Sequence, residues 1–332
     1  MTQTIMAQEA LQTPDVIRAQ LTLNEPLILE IVNKLRALDP KLIFMIGRGS
    51  SDHAGVYAKY LFEVELGLPV SSAAPSVFGV YDKTLSLNNT VAIVISQSGR
   101  SPDILRQTES AKNGGAFTIA LVNDEGSPLA ELADAVIPIR AGEERAVAAT
   151  KSYLATLSAI AQLCAVWNND KSFIRGLYEL PNALVSVIQQ PQQLTLAFLS
   201  NTTNSVVLGR GFGYAVGREV ALKLKEVLGI HAEAFSSAEF VHGPVTLAEK
   251  HLKVLDLRID DESEPYHTKA VQDVIRRGAL IETLYCENSE LHKRLLPLLA
   301  LQRFYLDIEN IAVTLGLDPD SPPGLNKVTK TL

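Results

Sequence analysis

One apolar run closed by a Gly-Arg-Gly turn occurs twice in this chain. Leu42-Ile43-Phe44-Met45-Ile46-Gly47-Arg48-Gly49 returns about 160 residues later as Val206-Val207-Leu208-Gly209-Arg210-Gly211, and a helical pattern follows each copy, over 52–66 and 214–228. A repeat at that period points to duplication of a whole βα domain, and 332 residues leave room for two full cores. In the first copy, strand patterns recur at 42–46, 69–73, 91–95, 116–122 and 135–139, with helical patterns between them at Pro102–Asn113 and Pro128–Ala133. The second copy shows strands near 205–209, 231–235, 253–257 and 279–285. Strands alternating with helices predict an α/β fold: two doubly wound parallel sheets, each covered by helices on both faces. A helical segment over 14–38, a mostly helical stretch over 150–190 punctuated by Pro181 and Pro191, and a proline-rich irregular tail lie outside the two sheets. The expected division is 1–34 as an N-terminal helical segment, 35–175 and 195–317 as the two domains, 176–194 as a linker and 318–332 as the tail.

In a doubly wound sheet, ligands settle outside the carboxyl ends of the strands. Gly49-Ser50-Ser51 and the segment Ser96-Gln97-Ser98-Gly99-Arg100-Ser101 both follow strands of the first copy, so both loops are predicted to open on one sheet edge. The β-branched run Thr90–Ile95 ends at four small polar side chains and a glycine, and a helix opens at Pro102. Unpaired N–H groups and the positive helix end favour an anion there, and serine hydroxyls can surround it without adding charge. A phosphate is the natural guest; the plainer alternative is a serine-rich turn with an N-cap. Neither loop carries a dinucleotide fingerprint or a Gly-Lys-Ser/Thr phosphate loop, which disfavours a nucleotide and leaves a phosphorylated metabolite open.

Net charge is −7 with no basic cluster, which argues against a nucleic-acid or membrane-surface partner. Cys164, Cys286 and six scattered histidines offer no metal-ligand spacing, no membrane-length apolar run or signal peptide is visible, and the expectation is a cytoplasmic protein without a cofactor. Glu226 lies three residues past Lys223 on one helical face, where a lysine would hold the carboxylate ionised. The bland alternative is a solvated ion pair. His242, before Gly243-Pro244, stands on a predicted loop and suits a general acid or base. His53 could edge the pocket, His231 reads as a core residue, and His251, His267 and His292 read as solvent-facing. The polar end Leu325-Asn326-Lys327-Val328-Thr329-Lys330 either frays or closes a lysine over a site.

Taken together, Ile-Gly-Arg-Gly-Ser-Ser at 46–51, Ser-Gln-Ser-Gly-Arg-Ser at 96–101, Ala-Val-Ala-Ala-Thr-Lys at 146–151, Leu-Lys-Leu-Lys-Glu at 222–226 and His-Gly-Pro at 242–244 resemble the sugar isomerase (SIS) family. The tandem arrangement is similar to that of the isomerase half of glucosamine-fructose-6-phosphate aminotransferases. The resemblance implies two flavodoxin-like αβα sandwiches. It implies that Ser96, Gln97, Ser98 and Ser101 cradle a sugar 6-phosphate, and that Gly49, Ser50, Ser51, the Val147 backbone and Lys327 contact the rest of the sugar. Glu226, His242 and Lys223 match the catalytic set: the carboxylate that moves a proton between C1 and C2, the ring-opening histidine contributed by the partner subunit of a homodimer, and a lysine beside the carboxylate.

Three positions depart from the synthase pattern: Arg48 replaces a cysteine, Ser101 a threonine and Ala149 a serine. No glutaminase segment with a cysteine after Met1 precedes the first domain, so the expectation is release of ammonia and not glutamine-dependent synthesis. The arrangement then looks most like the SIS-type glucosamine-6-phosphate deaminases, which give fructose 6-phosphate and ammonia. Deglycation of a sugar-amine 6-phosphate, deamination of galactosamine 6-phosphate and aldose–ketose isomerisation would use the same residues. A phosphosugar-binding regulator is the reading from another class; an acidic chain with no room for a helix-turn-helix before residue 40, and with both Glu226 and His242 in place, argues against it.

Overall fold

A run of seven consecutive buried residues, Thr90–Ser96, makes the central strand of a parallel sheet, because only a strand covered on both faces reads as unbroken apolar sequence. A computed structural model of the chain describes residues 3–288, 290–325 and 327. Asn326 and Val328–Leu332, part of the tail expected to fray or close, lie outside the described residues.

In chain order the elements begin α1 (Ile5–Leu11), α2 (Thr13–Leu38), β1 (Leu42–Ile46), α3 (Ser50–Leu66), β2 (Val70–Ser72), α4 (Pro75–Gly79), β3 (Thr90–Ser96), α5 (Pro102–Asn113) and β4 (Phe117–Val122). Next come α6 (Pro128–Leu132), β5 (Ala135–Pro138), α7 (Lys151–Asn168), α8 (Lys171–Ile188) and α9 (Leu196–Leu199). The chain continues through β6 (Asn204–Gly209), α10 (Phe212–Leu228), β7 (His231–Ser236), α11 (Ser237–Phe240), β8 (Lys253–Arg258), α12 (Glu264–Arg276), β9 (Leu280–Tyr285) and α13 (Leu296–Thr314). No helix among the described residues is long and apolar enough to cross a membrane.

The chain divides into two compact units. One comprises Asp15–Glu144 and Lys151–Tyr178 and holds a five-stranded parallel sheet of order β2-β1-β3-β4-β5. The other holds a four-stranded parallel sheet of order β7-β6-β8-β9 and recruits residues 3–14 and Arg145–Thr150 to residues 179–327. Both orders are the flavodoxin-like one, the second lacking the fifth strand.

In the β1–β5 unit, α7 is buried almost throughout from Lys151 to Ala165 and packs beside α3. Polar side chains fasten α2: Gln20 donates to the carbonyls of Ile139 and Ala155, and Asn24 to that of Pro138. On the other face, Ile104, Ala111 and Leu129 from α5 and α6 close over Ala92, Val94 and Ala120 of the sheet. In the β6–β9 unit, Phe240, Val245, Ala248 and Val274 cover Val206, Leu208 and Val254.

Pro181 does not punctuate a linker; it lies inside α8. The apolar stripe Phe173, Leu177, Leu180, Leu184 and Val187 is buried on both sides of it, and that packing outweighs the one hydrogen bond the proline cannot donate. Two histidines also sit opposite to expectation. His231 opens β7 on its outward face, exposed, while alternation buries Ala232. His267, expected in solvent, is 2% exposed.

The reason for the His267 burial is Asp256 of β8, itself fully buried. His267 Nε2 donates to Asp256 Oδ1 at 2.6 Å, and Thr283 and Arg258 donate to Oδ2 at 2.9 and 3.0 Å. Burial works to raise the Asp256 carboxyl, but the His267 hydrogen bond and the His267 and Arg258 charges outweigh it and hold the group below its ordinary 3.8. A carboxyl lowered in the fold contributes stability above its ordinary value and loses that contribution as pH falls through the lowered one. Asp256→Asn is therefore expected to cost about 3 kcal/mol in urea unfolding at neutral pH. It should also remove the Asp256 share of the stability loss below about pH 4, which a denaturation series from pH 3 to 7 measures.

Candidate functional site

The register of β1 against β3 sets the first half of the site. Ile46 pairs with Val94, so the turn Gly47-Arg48-Gly49 leaves the sheet beside the turn that begins at Ser96. Gly49 takes φ +53° and leads into α3, whose first turn carries Ser50 and Ser51; Ser51 N–H donates to the Arg48 carbonyl. In the second turn, Ser96 Oγ accepts from Gly99 N–H at 3.2 Å and Ser98 Oγ from Arg100 N–H at 3.4 Å. Gly99 sits at φ +63° against Ser127, where a Cβ would lie 2.2 Å from the Ser127 hydroxyl, so no other residue fits this turn. Ser101 precedes α5 without its hydroxyl capping the helix, and Pro102 occupies the first helical position.

Arg100, within this loop, is directed away from it, and Asp103, in the first turn of α5, is paired. Arg100 turns out to Asp124 at 2.6 Å, and that hydrogen bond pulls the Asp124 carboxyl below its ordinary value. Asp103, buried in the first turn of α5, would oppose an anion at that helix end; Arg48 Nε donates to it at 2.8 Å and cancels the charge. What remains is a loop of hydroxyls and one amide before the α5 N-terminus, with the Glu144 carboxylate 3.3 Å from Gln97 Nε2.

The duplicate edge is different. Leu208 pairs with Asp256 as Ile46 pairs with Val94, which places Arg258 in the position of Ser96 and Asp260 in that of Ser98. Gly211 repeats the Gly49 turn at φ +54°, so the backbone is preserved while the serines are gone.

The β6–β9 unit supplies chemistry of another kind. On α10, Lys223 is 1% exposed and lies between two carboxylates: Glu226 at 2.7 Å and Glu219 at 3.0 Å. This is no solvated pair. Burial disfavours the ammonium, yet the Glu219 and Glu226 charges outweigh that cost and hold Lys223 above its ordinary value. Of the two carboxylates, Glu226 at 23% exposure reaches solvent while Glu219 at 0% does not.

Elsewhere in this unit, His242 is exposed on the turn after α11, before Gly243 and Pro244, and its backbone N–H donates to the Glu239 carbonyl. Lys327 Nζ donates to the Ala146 carbonyl at 2.7 Å, and Val147 N–H donates to the Asp320 carbonyl. The Val147 amide is thus occupied by the tail. Glu9 of α1 accepts from the neighbouring Arg145 and Ala146 amides.

A family described as the SIS domain matches residues 38–166 and again 198–290. The chain belongs to the SIS domain family. Its duplicated halves correspond to the two matched spans. A glutamine–fructose-6-phosphate aminotransferase (isomerizing) of Thermus thermophilus is 32% identical over 320 residues, covering 88% of this chain and 53% of that protein. The Legionella pneumophila strain Lens enzyme of the same name is 33% identical over 307 residues, 86% of this chain and 50% of its own. The chain spans about half the length of these curated relatives. Among solved structures, a candidate phosphosugar isomerase from Silicibacter pomeroyi DSS-3 superposes with a TM-score of 0.90 at 34% identity, over 96% of this chain and 100% of that one. A glucosamine-6-phosphate deaminase from Thermotoga maritima shares the fold alone, with a TM-score of 0.79 at 20% identity over 99% of this chain and 100% of that one.

The β1–β5 SIS domain thus brings Gly49, Ser50, Ser51, Ser96, Gln97, Ser98 and Ser101 to one sheet edge, and the β6–β9 SIS domain brings Lys223 to Glu226 and Lys327 to the Val147 segment. Glu219 joins the cluster without having been expected there. Positions 219, 223 and 226 form one stripe of a helix, a pattern the sequence does carry, since residues three and four apart share a face. Lys223→Met takes one charged partner from the fully buried Glu219 and is expected to cost about 3 kcal/mol in chemical denaturation. Adding Glu219→Leu should recover most of that loss; a double variant no more stable than the single one would show that the Lys223–Glu219 pair is not what anchors the cluster.

Proposed function

We propose that this SIS protein is a glucosamine-6-phosphate deaminase, converting its substrate to fructose 6-phosphate and ammonia. The observation that carries this reading is the Glu226 carboxylate, partly open to solvent and fixed by a buried, cationic Lys223. A carboxylate held in place beside a permanent cation is suited to moving a proton between adjacent carbons of a positioned sugar.

The sugar's phosphoryl group docks on the hydroxyls of Ser96, Ser98 and Ser101 and the Gln97 amide at the α5 N-terminus, where partial positive charge and free donors favour it. Ser50, Ser51, Gly49, the Val147 backbone and Lys327 hold the remaining hydroxyls. His242, contributed by the second subunit of a homodimer, opens the ring by passing a proton between the ring oxygen and the C1 hydroxyl. Glu226 takes the proton from C2, giving an enolamine, and returns a proton to C1, giving a ketimine at C2. Water adds to that ketimine and expels ammonia. The exposure of the His242 side chain on its turn suits a residue that serves a neighbouring copy.

The test is ammonia release from glucosamine 6-phosphate, run beside galactosamine 6-phosphate, a fructose-amine 6-phosphate adduct and fructose 6-phosphate isomerisation. Glu226→Gln is expected to lose about a thousandfold or more in turnover while still binding substrate. A Glu226→Gln variant as active as the parent would remove Glu226 from its role, and release from a different amino-sugar phosphate alone would reassign the substrate. The shared site is tested separately: inactive His242→Ala and Glu226→Gln chains, mixed and reassembled, should regain activity that neither has alone. Mixtures that stay inactive after verified subunit exchange contradict a histidine donated in trans.

A further inference from the structure

Glu144 is buried, and nothing in the proton transfer uses it. It lies within the loop between β5 and α7 and faces both α7 and the Ser96–Ser101 loop of the β1–β5 domain. Its Oε1 accepts from Ser152 N–H at 3.1 Å in the first turn of α7, and its Oε2 accepts from the Ser152 hydroxyl at 2.5 Å. The same Oε2 accepts from Gln97 Nε2 at 3.3 Å, and Gln97 is the one amide side chain in the proposed phosphate loop.

We propose that Glu144 is a positioning residue for phosphate recognition, orienting the Gln97 amide so that the loop offers a donor to the phosphoryl group. This role rests on the phosphate loop proposed above. An amide has two ends of nearly equal shape: the NH2 donates and the carbonyl accepts. An ionised carboxylate only accepts, so the end of Gln97 that faces Glu144 must be the nitrogen. One N–H is spent on Glu144 and the second stays on the same nitrogen for a ligand. Turned over, the amide would present its carbonyl oxygen to an anion, which repels it. The two Ser152 donors, at the N-terminus of α7, keep the carboxylate in place.

Such a role is opposite in sign to simple electrostatics. Glu144→Gln removes a negative charge near the loop, and Coulomb attraction alone would then tighten binding of a phosphate. Loss of the oriented amide weakens it. We expect the orientation to dominate, with affinity for fructose 6-phosphate falling about tenfold.

Calorimetric titration of the full chain with fructose 6-phosphate tests this, using Glu144→Gln, Gln97→Ala and the double variant. The expected result is a similar loss for each single variant and no further loss in the double, because Glu144 acts through Gln97. Equal or tighter binding by Glu144→Gln, or losses that add in the double variant, overturn the proposal. Should Glu144→Gln not fold, Glu144→Asp keeps the charge and shortens the reach, and it is read by the same comparison with and without Gln97→Ala. A purely structural role would lower the unfolding midpoint without this dependence on Gln97. Ser98→Ala and Ser101→Ala separate the two levels: if they bind fructose 6-phosphate normally, the phosphate loop itself is wrong, whereas if they weaken it and Glu144→Gln does not, only the role of Glu144 fails.

Discussion

Parallel pairing of β1 with β3 is the constraint on which the proposed binding edge depends. A parallel sheet sends every strand out through the same edge, and the Ile46–Val94 register brings the turn at Gly49 and the turn at Ser96 out side by side. Neither turn would make a site alone. Together they offer serine hydroxyls from the start of α3 and from the approach to α5, with Asp103 silenced by Arg48. The duplicate sheet keeps the same register through Leu208 and Asp256 and spends it differently: Arg258 and Asp260 replace the serines, and a buried Asp256–His267 pair fastens α12 to β8. One backbone plan thus carries the serine-lined turns of the proposed site in one copy and a buried Asp–His pair in the other.

The second dependence is on a buried charge. Lys223 is out of water, a position that an isolated ammonium would leave or neutralise. Glu219 and Glu226 reverse that preference and hold Lys223 above its ordinary value. Glu219 is sealed in and holds the lysine; Glu226 is held by the lysine and remains accessible. The asymmetry between two glutamates on one helix leaves Glu226, and not Glu219, open to the role proposed for it.

Much of the fold could be read from the chain because its signals are local. The run Thr90–Ile95, the Gly-Arg-Gly turns and the helix start at Pro102 each dictate their own structure, and the repeat ties the two halves to one plan. What the sequence hid depends on partners distant in the chain. His267 sits among charged residues, yet Asp256 eleven positions earlier draws it inside. Pro181 looks like a breaker, yet the stripe from Phe173 to Val187 carries the helix through it. Glu144 gave no signal at all, since its meaning comes from Gln97, forty-seven residues away. The assignment of residues 145–150 to the β6–β9 unit is equally invisible, resting on Glu9 and Asp320, far from them in sequence.

The most direct measurement is a crystal structure of the protein with glucosamine 6-phosphate bound to the Glu226→Gln variant, in which turnover is arrested. The account predicts the phosphoryl oxygens within hydrogen-bond distance of the Ser96, Ser98 and Ser101 hydroxyls and of Gln97 Nε2. A phosphoryl group seated anywhere else, with those four side chains facing water, would contradict it.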